Sequence, residues 1–372
     1  MKKKKIGDIV AIAKGRKAQK VFEEKLPNAV RYIQIEDLRT DNKIQYTADT
    51  NGIFVSGSDL CIAWDGANAG TVGYGLSGMI GSTIARLCIN DSEIYTPYIG
   101  HFLQSKFNIL NGRTTGTTIP HVERRRLEEL EFPYRPLSEQ RRIADILDKV
   151  DAIRRKRQQS LKLTDDLVKS QFIEMFGDPV TNPKGWPIAK VGDLADVFTG
   201  GTPSRNKLDY YIGNIPWVKT GEIEQGLIFN AEERISEKAL KETNCKLLPV
   251  NTILVAMYGQ GKTRGQAGIL KIKAATNQAC AAILPNDSYN TDYLHQYLRI
   301  QYEALRGLGR GAQQANLNLS MVRDFPVLNT PLTLQTQFAA FVGQADKSKF
   351  TMQRQLSEIE ILSSALKQKF FA

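Results

Sequence analysis

The stretch AMYGQGKT, from Ala256 to Thr263, is the part of the sequence that comes nearest to a known chemical motif. It matches a relaxed phosphate-binding loop, and such a loop needs its Lys-Thr pair to open a helix whose N-terminal amides hold the phosphates. Here the pair is followed by RGQAGILKIK, which has two more glycines and then a strand-like run. A related stretch, WDGANAGT, which ends at Thr71, has no lysine. We therefore expect no ATP site, and an ATPase that depends on Lys262 is a rival hypothesis.

No other catalytic or metal-binding pattern stands out. The sequence has no G-x-S-x-G or H-E-x-x-H motif, and no Asn-Pro-Pro-aromatic or Asp-Pro-Pro-aromatic tetrapeptide of the kind that amino-methyltransferases use. Its four cysteines are far apart without any C-x-x-C spacing, and it has only three histidines. We therefore predict no catalytic residue, no metal and no cofactor, and we interpret the cysteines as reduced packing residues.

What remains is a set of glycine-bearing loops rich in side chains that bind base edges or phosphates. They come in pairs, one in each half of the chain, and the alternative for any single residue is an exposed polar loop residue. In the first half the candidates are Asn68, Thr71, Arg113, Thr114, Thr115 and Thr117. In the second half they are Arg205, Gln260, Lys262, Thr263, Arg264, Arg310, Gln313, Gln314 and Asn316. We predict that these residues bind DNA.

The chain repeats itself almost from end to end, with an offset of 185 residues that grows to 193 and then settles at 195. Corresponding pairs are Gly15 with Gly200, Cys61 with Leu254, Gln140 with Gln335, and Phe176 with Phe371. Such self-similarity indicates a duplicated structural unit. Each copy has a mixed region of short apolar runs and glycine turns, followed after a Pro-Leu by a long segment almost free of glycine and proline.

The mixed regions predict α/β (α+β) modules. Short strands are expected at 53–55, 60–64, 253–256 and 269–270, where apolar runs are bounded by glycine and asparagine. Helices are expected near 98–110 and 293–308. Two globular modules of this class would therefore be separated by the long segments.

The long segments predict helices. In Ser138 to Phe176, apolar residues recur three and four positions apart, which is typical of a coiled-coil seam, and the second copy has a looser version. A helix of about 39 residues would be roughly 58 Å long. Because an isolated stripe of that length is marginal in water, we expect the two copies to pack as an antiparallel pair with pseudo-two-fold symmetry. The alternative is that each helix folds onto its own module.

Composition limits the function classes. The 372 residues carry a formal charge of +11, spread along the chain, which suits a polyanionic partner without proving one. No apolar stretch approaches the roughly 18 residues that a membrane span needs. The start, MKKKKIGDIVAIAKG, is interrupted by charges too early for a secretory signal. We therefore expect a soluble, cytoplasmic protein without a membrane partner.

The chain resembles the specificity subunits of type I restriction-modification systems over nearly its whole length. The most specific similarity is FPYRPLSEQRRIADILDKVDAIRRKRQ, from Phe132 to Gln158, which is similar to the family's Pro-Leu-x-x-Gln start of a long helix. GWPIAKVGDLADVFTGGTPSR, ending at Arg205, and YGQGKTRG, from Tyr258 to Gly265, are also similar. The second junction, FPVLNTPLTLQTQFAAFVGQ, is a looser match.

The resemblance implies two target-recognition domains, at 1–135 and 179–330, and two conserved helices, at 136–178 and 331–372. It implies a non-catalytic subunit that binds double-stranded DNA at an asymmetric, bipartite, gapped site, with one half-site per module. Its helices would recruit two modification (methyltransferase) subunits and two restriction (motor-nuclease) subunits. A coiled-coil adaptor that binds only protein is a second rival, and it predicts no sequence-selective retention of DNA.

Overall fold

The computed structural model describes residues 2–111, 120–309 and 316–372. The chain forms two compact units. Unit 1 comprises Met1–Gln159 and Gln353–Ala372, and unit 2 comprises Ser160–Met352. The division falls inside both long helices, so each unit contains the first half of one helix and the second half of the other.

Unit 1 contains three antiparallel or mixed sheets, with strand orders β2-β9-β6-β7, β4-β3-β8-β5 and β1-β10. Its strands are β1 Lys3–Lys5, β2 Val10–Lys14, β3 Val30–Ile33, β4 Gln45–Thr47, β5 Phe54–Val55, β6 Leu60–Ala63, β7 Val72–Tyr74, β8 Gly78–Ile80, β9 Ile84–Ile89 and β10 Glu131–Pro133. All four residues of β6 are buried, as expected for a continuous apolar run inside a sheet.

Unit 2 has the corresponding sheets, with strand orders β12-β19-β16-β17-β14, β15-β13-β18 and β11-β20. Its strands are β11 Ile188–Lys190, β12 Val197–Thr199, β13 Ile215–Val218, β14 Leu227–Ile228, β15 Glu233–Ile235, β16 Ile253–Ala256, β17 Ala267–Leu270, β18 Ala275–Thr276, β19 Cys280–Ile283 and β20 Pro326–Leu328. The fully buried β16 lies at the centre of the largest sheet, as β6 lies inside its own.

The helices match the predicted positions closely. They are α1 Thr96–Ser105, α2 Phe107–Leu110, α3 Arg124–Glu129, α4 Leu137–Phe176, α5 Val191–Leu194, α6 Glu237–Glu242, α7 Thr291–Ile300, α8 Tyr302–Gly307, α9 Leu319–Arg323 and α10 Leu332–Phe371. Both long helices have 40 residues, and Gly343 does not interrupt α10. The mixed α/β class and the two long helices predicted from the sequence are therefore present. In the described residues, no helix is long and apolar enough to cross a membrane.

The Pro-Leu-x-x-Gln motif has the same structural role in both copies. Gln140 is completely buried, accepts a hydrogen bond from the backbone N–H of Tyr95 (2.9 Å) and donates one to the carbonyl of Arg135 (2.8 Å). Gln335 is almost as buried and makes the matching bonds to Asn290 and Thr330, both 2.8 Å long. Because a buried amide needs such partners, each glutamine fastens the start of a long helix to its module. Equivalent residues of the two copies thus make equivalent hydrogen bonds.

The three most buried cysteines are packing residues. Cys61, Cys245 and Cys280 are buried and free, and Cys88 is free and half-buried. Burial raises the pKa of the Cys61 and Cys280 thiols to about 12, so these two groups stay protonated and unreactive. The burial of Cys61, Cys245 and Cys280 agrees with the prediction of packing residues, whereas Cys88 is less buried than predicted.

Gly15 and Gly200, which correspond in the two copies, lie where no side chain fits. A Cβ at Gly200 would be 2.0 Å from the carbonyl oxygen of Thr276, and one at Gly15 would be 2.3 Å from that of Gly81. We expect Gly200→Ala to destabilise the protein by about 1–3 kcal/mol or more, because the backbone of the neighbouring loop must shift. Urea unfolding would measure this change in the free energy of unfolding. Gly221→Ala is the matched control, since a Cβ there meets nothing within 4 Å, and equal effects would contradict the steric argument.

Candidate nucleic-acid interface

Two hairpin loops carry most of the described candidate residues. The first loop, residues 65–71, connects β6 to β7, and the second loop, residues 258–266, connects β16 to β17. After Lys262-Thr263 the chain enters β17 rather than a helix. A phosphate-binding loop needs a helix N-terminus at this point. The expectation that AMYGQGKT is not a nucleotide site therefore agrees with the local geometry.

Two side chains of α8 donate hydrogen bonds to the backbone of the second loop. The Arg306 guanidinium donates to the carbonyl oxygens of Gly261 (2.6 Å) and Arg264 (3.2 Å). The Tyr302 hydroxyl donates to the carbonyl of Lys262 (2.7 Å) and accepts a bond from Arg306 (2.9 Å). Three carbonyls of one loop are thus bonded to one helix. Charged donors make the stronger hydrogen bonds, so these contacts fix the loop conformation. We call such a set of side-chain hydrogen bonds to loop carbonyls a clamp.

The first loop has a clamp of different chemistry at the same position of the repeat. Asn111, which is buried, donates through its amide to the carbonyls of Ala67 (3.3 Å) and Ala69 (2.7 Å). Asn111 and Arg306 lie 195 positions apart, which is the offset of the repeat. Our sequence analysis missed both residues, although the repeat offset pairs Asn111, which follows the first predicted helix, with Arg306, which lies near the end of the second.

A glycine completes each clamp. Gly70 and Gly265, again 195 positions apart, have φ values of +87° and +88°. A Cβ on Gly70 would lie 2.9 Å from the Leu110 Cβ, and one on Gly265 would lie 3.1 Å from the Arg306 Cβ. The positive φ and the close approach both favour glycine, so the loop backbone can lie directly against the clamping residue.

The clamps leave some predicted residues on the surface and bury others. Asn68, Gln260 and Lys262 are exposed, and Thr263 and Arg264 are half-buried. Thr71 is only 7% exposed, and its hydroxyl accepts a bond from Arg39 (2.7 Å). In this conformation Thr71 therefore supports the loop, and the neighbouring exposed guanidinium of Arg39 is a group that the sequence analysis missed.

The second pair of predicted loops is only partly described. Arg113, Thr114, Thr115, Thr117, Arg310, Gln313 and Gln314 lie outside the described residues. The chain on their C-terminal side returns to the clamped loops: the N–H of Leu317 donates to the carbonyl of Met257 (3.0 Å), and that of Val122 to Trp64 (2.8 Å). Asn316, which is exposed, is thereby next to the second loop. Val122 and Leu317 thus lie beside the first and the second loop, respectively.

Arg205 belongs to a separate cluster in unit 2. Its guanidinium lies over the rings of Tyr211 (4.3 Å) and Trp217 (5.3 Å) and donates to Glu233 (2.7 Å). The bond from Arg205 holds the pKa of Glu233 below its usual range, and Lys219 donates to the same carboxylate (3.1 Å). Stacking and pairing preorganise the planar fork of Arg205, the geometry with which arginine binds guanine or phosphate.

Asn68 also lines an open cavity of about 740 Å³ in unit 1. The cavity lies between the first loop and the turn Ile35–Leu38, and it has amides, hydroxyls and both signs of charge on its walls. The carboxylate of Asp37 forms an ion pair with the Arg31 guanidinium (2.6 Å). The amide and guanidinium groups of Gln34, Asn68 and Arg39 also line the cavity and are of the types that hydrogen-bond to base edges, although Gln34 already donates to Gln45 and Arg39 to Thr71.

Comparison with known proteins gives the family. The family model of the type I restriction modification DNA specificity domain matches residues 1–163 and 183–360. The chain belongs to this family, as its sequence motifs predicted.

Among curated relatives, the type I restriction enzyme MjaVIII specificity subunit of Methanocaldococcus jannaschii is 28% identical over 209 residues. This match covers 53% of the chain and 49% of the relative, so the chain spans about half the length of that protein. The MjaIX specificity subunit of the same organism is 22% identical and covers 76% of the chain and 70% of the relative. Both relatives are named as specificity subunits.

A solved structure has the same fold. The S subunit of a type I restriction-modification system from M. genitalium aligns over 100% of this chain and 96% of that chain, with a TM-score of 0.64 and 16% sequence identity. At this identity the comparison shows the fold alone, a mixed α/β architecture with two repeated domains.

Proposed function

We propose that this chain is the DNA-reading subunit of a type I restriction-modification enzyme and that each of its two modules reads one half of a bipartite, gapped DNA site. The modules are residues 1–135 and 179–330, and the long helices are the segments 136–178 and 331–372. The chain supplies no catalytic residue and needs no cofactor. It acts in the cytoplasm.

The observation that carries this proposal is the duplicated clamp. Two hairpin loops at the same position of the repeat have backbones fixed by Asn111 and Arg306, yet their exposed side chains differ. A fixed backbone with variable side chains is what direct readout requires, because bidentate contacts to base edges depend on geometry. Since the loops differ, the two half-sites should differ, and the DNA site should be asymmetric.

We further propose that the two long helices pack as an antiparallel coiled coil with pseudo-two-fold symmetry and dock the catalytic subunits. Duplicated helices offer duplicated docking surfaces, which supports two methyltransferase and two restriction subunits per chain. Exposed apolar side chains on both helices, among them Leu163, Leu167 and Ile361, are consistent with covered surfaces in an assembly.

Selection from random DNA tests the reading role. The chain would be purified with its modification subunit and used to enrich duplexes from a randomised pool. We expect one asymmetric motif of two short half-sites with a spacer of unselected bases. A complex that forms but enriches no motif would support the adaptor hypothesis and contradict the proposal.

Lys262 is the candidate best suited to a phosphate, because it is exposed at the tip of the second loop. We expect Lys262→Ala to weaken binding similarly for the selected site and for random DNA, and to reduce the slope of log K against log salt by about 0.9. Fluorescence anisotropy at several salt concentrations would measure both. Lys241→Ala, on the exposed surface of α6, is the control, and an effect confined to one sequence would instead assign Lys262 to base reading.

A further inference from the structure

The core of unit 2 is filled by aromatic rings where α4 ends. The Phe172 ring centroid lies 5.5 Å from that of Phe338 and 6.0 Å from that of Tyr297, and Phe172 is completely buried. Val168, one turn earlier, is only 6% exposed. Among the described residues of unit 2, this part of the core is apolar and closed.

The matching positions of unit 1 are polar. At the repeat offset of 195, Phe172 corresponds to Lys367 and Val168 to Ser363. The register is fixed by the next pair, because the Phe371 ring lies 5.3 Å from Tyr98 just as the Phe176 ring lies 4.9 Å from Tyr293. A lysine and a serine therefore stand where the other copy buries a phenylalanine and a valine.

An open cavity of about 550 Å³ lies at this place in unit 1. Its walls come from the end of α1, the middle of α4 and the last turns of α10. The charged side chains that line it are Lys106, Arg154, Lys367 and Glu360, and hydroxyls are supplied by Ser363 and Ser364. The volume is within the range of small-molecule sites, and the lining has an excess of cations.

Three residues that form an ion-pair network in unit 2 have counterparts in unit 1 that line the cavity. In unit 2, Lys349 and Arg299 reach Asp165 at 2.6 and 3.6 Å. The corresponding residues of unit 1 are Arg154, Gln104 and Glu360, and all three line the cavity.

Arg154 and Lys367, two of the three cations that line this cavity, share Asp151 as an acidic neighbour. Arg154 lies 3.6 Å from Asp151, and its Nε is buried without a hydrogen-bond partner. Burial lowers the pKa of Lys367, and the negative charge of Asp151 opposes this shift only in part. Because one carboxylate does not balance two partly buried cations, a bound anion would stabilise both side chains.

We infer that this cavity binds an oxyanion, a phosphate or a carboxylate, with Lys367 and Arg154 as its cationic partners and the Ser363 and Ser364 hydroxyls as further donors. Ammonium, guanidinium and hydroxyl groups together match the acceptor oxygens of such a group. Glu360, at the edge of the same cavity, would discriminate against ligands of high negative charge. The site exists in one copy of the repeat and is filled by aromatic rings in the other.

Ligand-induced stabilisation tests this inference directly. The melting temperature of the full chain would be titrated with inorganic phosphate and with succinate, each against sodium chloride at equal ionic strength. We expect a saturable increase with one of the two anions, which also distinguishes phosphate from carboxylate. Lys367→Met keeps the aliphatic stem and should weaken this binding by about tenfold or more.

A second variant copies the other half of the repeat. Lys367→Phe combined with Ser363→Val should raise the melting temperature without ligand, because it fills the cavity as Phe172 and Val168 fill the core of unit 2, and it should abolish the response to the anion. The inference would be overturned if neither anion acts beyond chloride, or if the response persists in both variants.

Discussion

We expect Arg306→Ala to abolish sequence recognition at one half of the DNA site and to leave recognition of the other half unchanged. The guanidinium holds two loop carbonyls and the Tyr302 hydroxyl, and alanine removes all three bonds. Losing hydrogen bonds from a charged donor costs about 2 kcal/mol, or roughly thirtyfold in affinity, provided that the loop must be ordered to bind. Binding of the purified complex to its selected site, and to sites altered in either half, would measure the effect.

Two matched variants sharpen this test. Arg306→Lys keeps the charge but loses the fork that spans the Gly261 and Arg264 carbonyls, so it should restore little. Asn111→Ala should relax the opposite half-site, because Asn111 holds the first loop. If either alanine variant weakens both halves equally, the clamps are general stability elements and not positioning residues.

Phe172→Ala should be the most destabilising single change that we can name in the helices. The ring is fully buried and packs on Phe338, Tyr293 and Tyr297, so its removal leaves a large cavity in the core of unit 2. Such truncations cost about 3–5 kcal/mol. Urea unfolding followed by circular dichroism would measure the loss.

The repeat itself provides the control for Phe172. Lys367 occupies the same position in the other copy, where it borders an open cavity, so Lys367→Ala should cost much less than Phe172→Ala. Equal losses would mean that the two copies are packed alike at this position, which would contradict the difference described between them.

Much of the fold could be predicted because the chain repeats its core. The buried run Ile253–Ala256 became β16 and the glycine-free segment from Ser138 became α4, since hydrophobic periodicity and length decide such elements. The pairing of Gly15 with Gly200 was visible as identity and has a steric cause in the structure. Strand order and register depend on contacts distant in sequence, which periodicity does not encode.

The candidate site was predicted less completely, because its supporting residues share a role without sharing chemistry. Asn111 and Arg306 both bind loop carbonyls, yet an amide and a guanidinium do not match in a sequence alignment. Thr71 shows the opposite problem: its residue type suits DNA, but Arg39 engages its hydroxyl inside the module. DNA binding stays a prediction for every candidate residue.

Mapping of methylated adenines tests the central claim most directly. The chain would be co-expressed with its modification subunit in a host without other adenine methylation, and the genome would be read by single-molecule sequencing. We predict a single asymmetric, gapped motif, changed in one half by Arg306→Ala and in the other half by Asn111→Ala. A complex that forms and methylates without such a motif, or no complex at all, would contradict the assignment of this chain as the DNA-reading subunit.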